Sequence, residues 1–368
     1  MKTAIVHYWL INMRGGEKVI EALLDMFPDA DIYTHVYDSN AVSEKVKSHN
    51  VYTTYIQQLP FSRKLYQKYM PLMPRALMDV NLNQYDLIIS SESGPAKGVV
   101  PNPNAYHICY CHSPMRYLWD MYHEYFRKSN PIVRFFMKRL IPGLRLWDVT
   151  SANLVDLFIA NSAYVANRIR RYYNREAVIV FPPVDIEKFI NVERKPKDYY
   201  LFFGQLTGYK RADLAIEACI ASGKKLIVAG GGIPQKTEIQ KYEREGSIVF
   251  KGRISDEEVI ELYASAKALL FPGIEDFGII PVEAQAAGCP VIAFSEGGAI
   301  ETVKENVTGL FFDKQDAASL VNAMNRFEKM ESEGIFRNRR QFSDHVQQFS
   351  TEAFKEKIAK IINERKRI

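Results

Sequence analysis

The chain has 368 residues, which predicts two domains, and its 47% hydrophobic and 25% charged residues are typical of a packed globular protein. This balance excludes a disordered chain, a coiled coil and a collagen-like fibre. Lys and Arg exceed Asp and Glu by 48 to 43, and this formal charge of +5 is too small to predict a nucleic-acid partner.

The cysteines and the apolar runs indicate the compartment. The four cysteines form no CxxC pair, so we expect reduced thiols and a cytoplasmic protein. The apolar run near the N-terminus is too short and too polar for a signal peptide, and no apolar run is long enough to span a bilayer.

Short apolar runs alternate with helical patterns from the N-terminus onward. The first series of predicted strands covers 2–7, 86–90, 106–110 and 156–160, with a helix from Gly16 to Met26 after the first strand. The second series covers 199–203, 225–230, 248–251, 268–272 and 290–294, with helices over 210–222 and 256–267. A capping box of Ser255 and Glu258 precedes the last helix. Such alternation predicts parallel sheets covered on both faces.

The two series predict two domains of similar size. The Pro-rich and charged segment 181–197 lies between them and is typical of a linker. We therefore predict an α/β protein with two facing, doubly wound, Rossmann-like domains and a cleft between them. The domains cover 1–181 and 182–345, and a helix over 346–368 returns to the first domain. Ligands of such sheets bind at the carboxyl ends of the strands.

Two loops of the sequence suggest anion sites. Gly15 and Gly16 open the first helix, where backbone N–H groups can approach an anion, although a structural turn explains them equally simply. Lys210 and Arg211 open a helix of the second domain, where two cations oppose the helix dipole unless an anion binds; the alternative is a solvated basic turn. No GxGxxG or Walker A motif is present, which removes most support for hydride transfer and P-loop chemistry.

The segment 272–290 carries two carboxylates, Glu275 and Glu283, on either side of a Phe-Gly turn. Carboxylates accept hydrogen bonds from pairs of hydroxyl groups, so these two can hold two sugar rings. Two-carboxylate hydrolysis is the competing use. A phosphate site in the same domain favours a nucleotide sugar over a plain glycan.

The chain resembles the retaining glycosyltransferases of family 4, which have the GT-B fold. Among them it is most similar to the bacterial mannosyltransferases of O-antigen and related surface polysaccharides. The resemblance spans nearly the whole chain in order. It is carried by Gly15-Gly16, CYCHSPMRYLWD at 109–120, IANSAYVANRI at 159–169, FPPVD at 181–185, GYKRADLAIEA at 208–218, KGRISDEE at 251–258 and the Glu275-x7-Glu283 stretch.

The resemblance implies roles for the charged residues of the second domain. Glu275 would bind hydroxyl groups of the donor sugar, Glu283 the ribose, and Lys210 the donor diphosphate as charge builds on the leaving group. Similar enzymes carry Arg where this chain has Gln205, and Arg211 is a candidate to compensate.

The resemblance also implies contacts for residues of both domains. Gly16 and the turn Phe277-Gly278-Ile279 would lie against the phosphates and the sugar, and the loop with Arg253 would flank the base. His112 follows a strand end and would touch the donor sugar near the reacting carbon, whereas His107, inside the strand, is expected to be core. We predict no metal and no cofactor besides the nucleotide-sugar substrate, and we expect Asp29 and Asp31, which form a DxD, to lie in a turn.

The excess of positive charge lies in one segment of the first domain. No acidic residue occurs between Glu124 and Asp148, and this window contains six cations among several aromatic side chains, including Arg134, Lys138 and Arg139. A helix that begins at Pro131 and ends at Pro142-Gly143 would be basic and amphipathic, a pattern typical of membrane surfaces. The alternative is a core-packed helix with a solvated basic side.

Together these features predict a hexosyltransferase that uses a nucleotide sugar, with GDP-mannose as the expected donor. The acceptor would be a glycan or a polyprenyl-linked saccharide, reached at the inner face of the cytoplasmic membrane. The alternatives are a UDP-sugar-dependent transferase, a nucleotide-sugar epimerase of the same fold and, less favoured, a non-catalytic sugar-binding protein.

Overall fold

A computed structural model describes residues 1–232 and 246–365 and divides the chain into two compact units. Unit 1 comprises Met1–Pro183 together with Phe354–Ile368, and unit 2 comprises Val184–Ala353. The chain therefore passes from unit 1 to unit 2 two residues after the predicted boundary. Phe354, Ile358 and Ile362 of the final helix pack into the apolar core of unit 1, and Lys355 pairs with Asp25 there.

Unit 1 is built on a parallel sheet of seven strands in the order β3-β2-β1-β4-β5-β6-β7. The strands are β1 Thr3–His7, β2 Asp31–Thr34, β3 Val51–Thr53, β4 Leu87–Glu92, β5 Tyr106–Cys111, β6 Leu157–Ala160 and β7 Ala177–Ile179. β1, β4 and β5 are almost fully buried because helices cover both faces of the sheet. The predicted strands of this domain are confirmed, and β2, β3 and β7 are additional.

The helices of unit 1 precede and follow these strands. They are α1 Gly15–Met26, α2 Glu44–Lys47, α3 Ser62–Leu65, α4 Met73–Met78, α5 Tyr122–Lys128, α6 Pro131–Ser151 and α7 Ala163–Tyr173, with 3-10 turns at Tyr55–Gln58, Tyr66–Leu72 and Ala152–Leu154. The side chains of Asn130 and Ser162 cap α6 and α7 by accepting from Val133 and Val165 backbone N–H groups.

The prediction that the basic helix ends at Pro142-Gly143 was wrong, because α6 continues through both residues to Ser151. A proline inside a helix removes one backbone hydrogen bond, which usually ends or kinks the helix. Here Ile141 and Leu144 are buried on either side of Pro142, and Asp148 is fully buried one turn later. Tertiary packing of this face outweighs the local preference of the Pro-Gly pair.

Unit 2 is built on a parallel sheet of six strands in the order β10-β9-β8-β11-β12-β13. The strands are β8 Tyr200–Phe203, β9 Leu226–Ala229, β10 Ile248–Gly252, β11 Leu269–Phe271, β12 Val291–Phe294 and β13 Gly309–Phe312. Its described helices are α8 Glu187–Ile190, α9 Ala212–Ser222, α10 Asp256–Ser265, α11 Ile279–Ala286, α12 Ala299–Thr302, α13 Ala317–Ser332 and α14 Arg339–Val346, with 3-10 turns at Gly208–Lys210, Ile335–Arg337 and Gln347–Phe349. The final helix of the chain, α15 Thr351–Arg365, starts later than predicted.

The predicted linker is only partly a linker. Val184 pairs with Ser350 as an isolated bridge, and Ile186 and Phe189 are buried in unit 2. The predicted capping box is confirmed, since Ser255 accepts from the backbone N–H of Glu258 and the Glu258 carboxylate accepts from that of Ser255. Parallel pairing joins all neighbouring strands in the described ranges, so the carboxyl ends of each sheet collect the loops that carry the candidate site residues.

Candidate functional site

Glycine turns follow β8 and β9 at the carboxyl edge of the unit 2 sheet. Gly204 and Gly230 have φ angles of 144° and 127°, and a β-carbon on Gly230 would lie 1.9 Å from the carbonyl oxygen of Gly204. Only glycine allows this approach of two backbone turns. Sequence reasoning missed the Ala-Gly-Gly-Gly run at 229–232, although three successive glycines after a predicted strand are a readable signal.

Lys210 and Glu275 form an ion pair beside these turns. Lys210 Nζ lies 2.9 Å from Glu275 Oε1, and the two side chains are 12% and 19% exposed. The backbone before Glu275 approaches the lysine closely, because a β-carbon on Gly273 would lie 2.6 Å from Lys210 Cα. The structure therefore brings together Lys210, predicted to bind phosphate, and Glu275, predicted to bind the sugar, and both are partly exposed to solvent.

Arg211 is adjacent in sequence but has other partners. Its backbone is left-handed with φ of 54°, its Nε donates to Asp213 Oδ2 over 3.0 Å, and its Nη1 donates to Gln315 Oε1 over 3.2 Å. Arg253 is exposed beside the turn after β9, with its Nε 3.5 Å from the place of a β-carbon on Gly231. Of these cations, Lys210 is the one that contacts Glu275.

The second carboxylate, Glu283, lies on α11. Its Oε2 accepts a hydrogen bond from Tyr263 Oη over 3.1 Å. Burial raises the pKa of Glu283 to about 7, with the charges of Asp256 and Asp185 adding to the rise. Burial also raises the pKa of Tyr263, to which the charges of both Glu283 and Glu275 contribute. The charges of both carboxylates thus act on the pKa of Tyr263.

The turn between the carboxylates starts α11. Gly278 has φ of 97° and precedes the first helical residue, Ile279, so the backbone N–H groups of the first turn are free of intrahelical partners. Phe277 is buried, and its ring lies 5.7 Å from that of Phe349. The predicted Phe277-Gly278-Ile279 turn is therefore held by packing on one side and opens a helix N-terminus on the other.

In unit 1, Gly16 and His112 lie close together. A β-carbon on Gly16 would lie 2.7 Å from Tyr8 Oη and 3.7 Å from His112 Nε2, and Gly15 is the first residue of the same helix. The backbone of His112 is held at both ends, because its N–H donates to Glu92 O over 2.8 Å and its carbonyl accepts from Asn161 Nδ2 over 2.9 Å. Burial, and the charge of His7, lower the pKa of His112 to about 3.

Three neighbours of His112 were missed by sequence reasoning. His7 Nδ1 and His112 Nε2 both contact Ser91 Oγ, at 3.1 Å and 2.8 Å, and His7 Nε2 lies 3.8 Å from Glu17 Oε1. His7, Ser91 and Glu17 are almost fully buried. The readable signal is polar residues at the carboxyl ends of otherwise apolar strands. His107 is buried in β5, where Ser90 and the Leu154 carbonyl contact its ring.

A second buried polar cluster in unit 1 was also missed. Lys97 is fully buried and contacts the carboxylates of Glu92 and Asp148. Asp148 also accepts from Trp119 Nε1 over 2.7 Å and from Tyr173 Oη over 3.0 Å. Lys97, Glu92 and Asp148 are all 0% exposed, which suits a structural role.

The predicted acceptor-side cations lie on α6 and differ in their contacts. Arg134 donates to the carbonyls of Phe126 and Arg127, and both Arg134 and Lys138 lie over the Phe126 ring at 5.6 Å. Arg139 is exposed. None of the helices within the described ranges is long and apolar enough to cross a membrane.

Asp31 of the DxD does not lie in a turn but begins β2. Its carboxylate accepts from Tyr85 Oη over 2.6 Å and from Asn50 Nδ2 over 2.9 Å. These internal contacts give Asp31 a structural role in unit 1.

Two family models match successive parts of the chain. Glycosyltransferase Family 4 matches residues 13–188, and Glycosyl transferases group 1 matches residues 183–349. The first match lies on the elements that carry Gly15, Gly16 and His112, and the second lies on those that carry Lys210, Glu275 and Glu283.

Curated relatives and solved structures agree with these models. The alpha-1,3/1,6-mannosyltransferase ALG2 of Homo sapiens is 25% identical over 263 residues, which cover 62% of this chain and 63% of the relative. The D-inositol 3-phosphate glycosyltransferase of Mycolicibacterium smegmatis is 26% identical over 218 residues, covering 53% of this chain and 50% of that protein. The chain thus spans less than two thirds of the length of these relatives.

The structural neighbours cover the whole fold. HepE of Anabaena, solved in complex with UDP, superposes with a TM-score of 0.71 at 16% identity and covers 99% of this chain and 100% of its own. WaaG, a glycosyltransferase involved in lipopolysaccharide biosynthesis, gives 0.67 at 15% identity, with 98% and 99% covered. At such identities the likeness shows the fold alone, which is GT-B. With both family models matched, the chain belongs to glycosyltransferase family 4 and is a glycosyltransferase.

Proposed function

We propose that this glycosyltransferase moves mannose from GDP-mannose, with retention of the anomeric configuration, to a glycan or polyprenyl-linked saccharide in surface-polysaccharide synthesis. The observation that carries the donor part is the accessible Lys210–Glu275 ion pair beside the glycine turns of unit 2. The activity named for the ALG2 relatives favours mannose, whereas the UDP and glucose bound by HepE favour the UDP-sugar alternative.

Each charge of the pair has a use in the reaction. Lys210 neutralises the diphosphate, which becomes more negative as its bond to the anomeric carbon breaks. Glu275 accepts hydrogen bonds from donor-sugar hydroxyl groups and so fixes the ring. The acceptor oxygen bonds to the anomeric carbon on the face that the diphosphate leaves, and the acceptor proton passes to the departing diphosphate. No metal ion is part of this proposal.

Glu283 and the remaining site residues bind the nucleotide in this proposal. Glu283 binds the ribose hydroxyl groups, and Arg253 flanks the base. The backbone of the Phe277-Gly278-Ile279 turn lies against the phosphates and the sugar. Arg211 supports the phosphate loop through Asp213 and Gln315. Gly15, Gly16 and His112 of unit 1 remain predicted contacts of the sugar.

A thermal-shift panel tests the donor. GDP, UDP, GDP-mannose and UDP-glucose are added in excess, and a ligand at 100 times its Kd stabilises the protein by about 2.7 kcal/mol. We expect the largest rise in Tm with GDP-mannose, and a much smaller rise in the Lys210→Met variant. A larger rise with UDP-glucose would mean that UDP-glucose, and not GDP-mannose, is the donor. Product analysis with and without acceptor separates a transferase from an epimerase.

The acceptor side rests on the first half of α6. Its apolar side chains are largely exposed, with Ile132 at 71%, Phe135 at 66% and Phe136 at 53%. The cations Lys138 and Arg139 are exposed among them. An apolar face surrounded by cations is complementary to an anionic bilayer, where each basic residue near the surface contributes about 1 kcal/mol. In the proposed function this surface holds the enzyme peripherally on the inner face of the cytoplasmic membrane.

A second segment extends the same surface. Residues 55–78 also contain no acidic residue and carry four cations, and Phe61 and Met78 are 76% and 60% exposed. Met70 of this segment packs in the same apolar cluster as Ile141 and Leu144 of α6. Because the two acid-free segments adjoin, the proposed membrane surface is larger than the sequence pattern of 127–145 indicates.

Vesicle flotation tests the membrane surface. We expect the protein to bind phosphatidylglycerol vesicles at low salt, to release at high salt and to ignore phosphatidylcholine vesicles. A triple variant with Phe135→Asp, Phe136→Asp and Arg139→Glu should lose binding, whereas Ile300→Asp, at an exposed apolar residue of unit 2, should retain it. Equal binding by the triple variant would exclude α6 as the contact.

A further inference from the structure

The loop that carries Glu275 runs beside the loop that follows the next strand of the unit 2 sheet. Residues 272–278 connect β11 to α11, and residues 295–298 connect β12 to α12. The N–H group of Gly298 donates to the carbonyl oxygen of Glu275 over 2.8 Å. The backbone of Glu275 is therefore bonded to a loop that lies outside the sequence motifs of the site.

Two glycines of the second loop approach the backbone of the first. A β-carbon on Gly297 would lie 2.6 Å from the carbonyl oxygen of Glu275. A β-carbon on Gly298 would lie 2.4 Å from both the Cα and the carbonyl oxygen of Phe277. Ordinary contact begins at 3.4 Å, so a side chain on Gly298 would displace the Phe277 backbone by about 1 Å.

The two positions need glycine for different reasons. Gly297 has a φ of 78°, a left-handed conformation that favours glycine whatever surrounds it. Gly298 has a φ of −67° and a ψ of −15°, an ordinary helical conformation that other residues adopt without strain. The backbone of Gly298 therefore does not itself require glycine. The requirement comes from the space beside Phe277.

The start of the Glu275 loop makes a similar contact with a third loop. A β-carbon on Gly273 would lie 2.6 Å from Lys210 Cα. The Glu275 loop is thus in close backbone contact with the loops after β8 and β12. Because a backbone cannot rotate aside as a side chain can, these contacts leave the Glu275 carboxylate little freedom to shift.

We propose that Gly297 and Gly298 are positioning residues, which fix the Glu275 loop so that the Glu275 carboxylate meets hydroxyl groups of the transferred sugar. The proposal rests on the proposed function for the role of Glu275. It makes binding of the sugar half of the donor depend on the loop after β12, whereas binding of the nucleotide half depends on it much less.

Gly309 provides a matched control in the same unit. A β-carbon on Gly309 would lie 2.0 Å from the carbonyl oxygen of Val291, so this glycine also approaches a backbone too closely for a side chain. Gly309 pairs with Val291 where β12 and β13 begin, whereas Glu275 lies beyond the end of β11. Gly309→Ala therefore creates a backbone clash at the opposite edge of the same sheet.

Titration calorimetry of the full chain with GDP and with GDP-mannose tests the role. We expect Gly298→Ala to weaken GDP-mannose binding about tenfold, as for the loss of one hydrogen bond to a charged group, and to change the Kd of GDP by less than about twofold. Gly309→Ala should leave both Kd values near those of the wild type, although its Tm falls. Equal weakening of the two ligands in Gly298→Ala would overturn the positioning role.

A double-mutant cycle shows whether Gly298 acts through Glu275. Glu275→Ala should weaken GDP-mannose binding at least as much as Gly298→Ala does. The double variant should bind GDP-mannose no more weakly than Glu275→Ala, because the carboxylate that Gly298 positions is already absent. Additive losses in the double variant would overturn the proposal.

Hydrogen exchange of the Gly298 N–H group in the wild type needs no substitution. We expect GDP-mannose to slow this exchange more strongly than GDP does, because a bound sugar holds the Glu275 loop closed on its hydrogen bond to Gly298. Equal protection by the two ligands would overturn the proposal. A wild type that binds UDP and UDP-glucose but neither guanine ligand would overturn the proposed donor, and the same cycle with the uracil ligands would then decide the role of Gly298.

Discussion

Each unit has a lysine in a loop that follows a strand of its sheet. Lys97 lies in the loop after β4 of unit 1, and Lys210 lies in the loop after β8 of unit 2. Each pairs with a glutamate at nearly the same distance, 2.8 Å from Nζ to Glu92 Oε1 and 2.9 Å to Glu275 Oε1. Residue type and distance therefore do not tell the two ion pairs apart.

The two ion pairs differ in how deeply they are buried. Lys97 and Glu92 are 0% exposed, Asp148 supplies a second carboxylate, and the rings of Trp147 and Tyr173 lie 5.6 Å and 4.6 Å from the ammonium group. The Lys210–Glu275 pair is partly exposed, at 12% and 19%, so solvent and a ligand can reach both side chains. The first pair stabilises the fold, and the second is available for a ligand.

The largest expected effect is on stability, at Lys97. Lys97→Met leaves two buried carboxylates without their cation, which typically costs about 3–5 kcal/mol in the free energy of unfolding. Urea denaturation measures it. Lys18→Met, at an exposed pair with Glu21, should stay within about 0.5 kcal/mol. If the two variants were equally stable, burial would not distinguish the two kinds of pair.

The next effect is on catalysis, at Glu275. Glu275→Ala should lower kcat about 1000-fold, because the donor sugar loses the carboxylate that orients it and Lys210 loses its neighbour. The melting temperature should change by only a few degrees, since the pair is accessible. Glu217→Ala, at an exposed carboxylate of α9, is the control and should retain full turnover. Near-normal turnover of Glu275→Ala would remove this residue from the site.

A smaller catalytic effect is expected at Lys210. Lys210→Met should lower kcat about 100-fold, because one charge that stabilises the leaving diphosphate is lost. Arg211→Met should cost less than tenfold, since its guanidinium is held by Asp213 and Gln315. The reverse order would mean that Arg211, and not Lys210, takes the place of the arginine that Gln205 replaces.

In unit 1 the sequence predicts β1, β4, β5 and β6 and misses β2 and both edge strands. β3 and β7 lie at the two edges of the unit 1 sheet, and each has one half-buried residue followed by two exposed ones. An edge strand of this kind lacks the continuous apolar run by which buried parallel strands are recognised. The end of α6 was misjudged for a related reason, since packing that a local pattern does not contain carries the helix past Pro142.

The site divides in the same way. Lys210, Glu275 and the glycine turns lie in loops next to strand ends. Their chemistry and their position in the fold can therefore be predicted from the residues beside them in the sequence. The link from His7 to His112 depends on the register that places His7 beside Ser91 across β1 and β4, which are far apart in the chain. Register follows from tertiary packing, so this link became visible only in the structure.

The last expected effect concerns Glu283, a partly buried carboxylate of unit 2. Its pKa is about 7, above the usual value near 4.5, so deprotonation disfavours the folded state increasingly from about pH 5 and fully above pH 7. Glu283→Gln should therefore match the wild-type Tm at pH 4.5 and exceed it by several degrees at pH 8. Glu328→Gln should show the opposite sign at pH 8, because the contacts of Glu328 with Lys224 and Lys267 outweigh its burial and lower its pKa. A Glu283→Gln variant with no gain at pH 8 would mean that burial does not disfavour the charged form of Glu283.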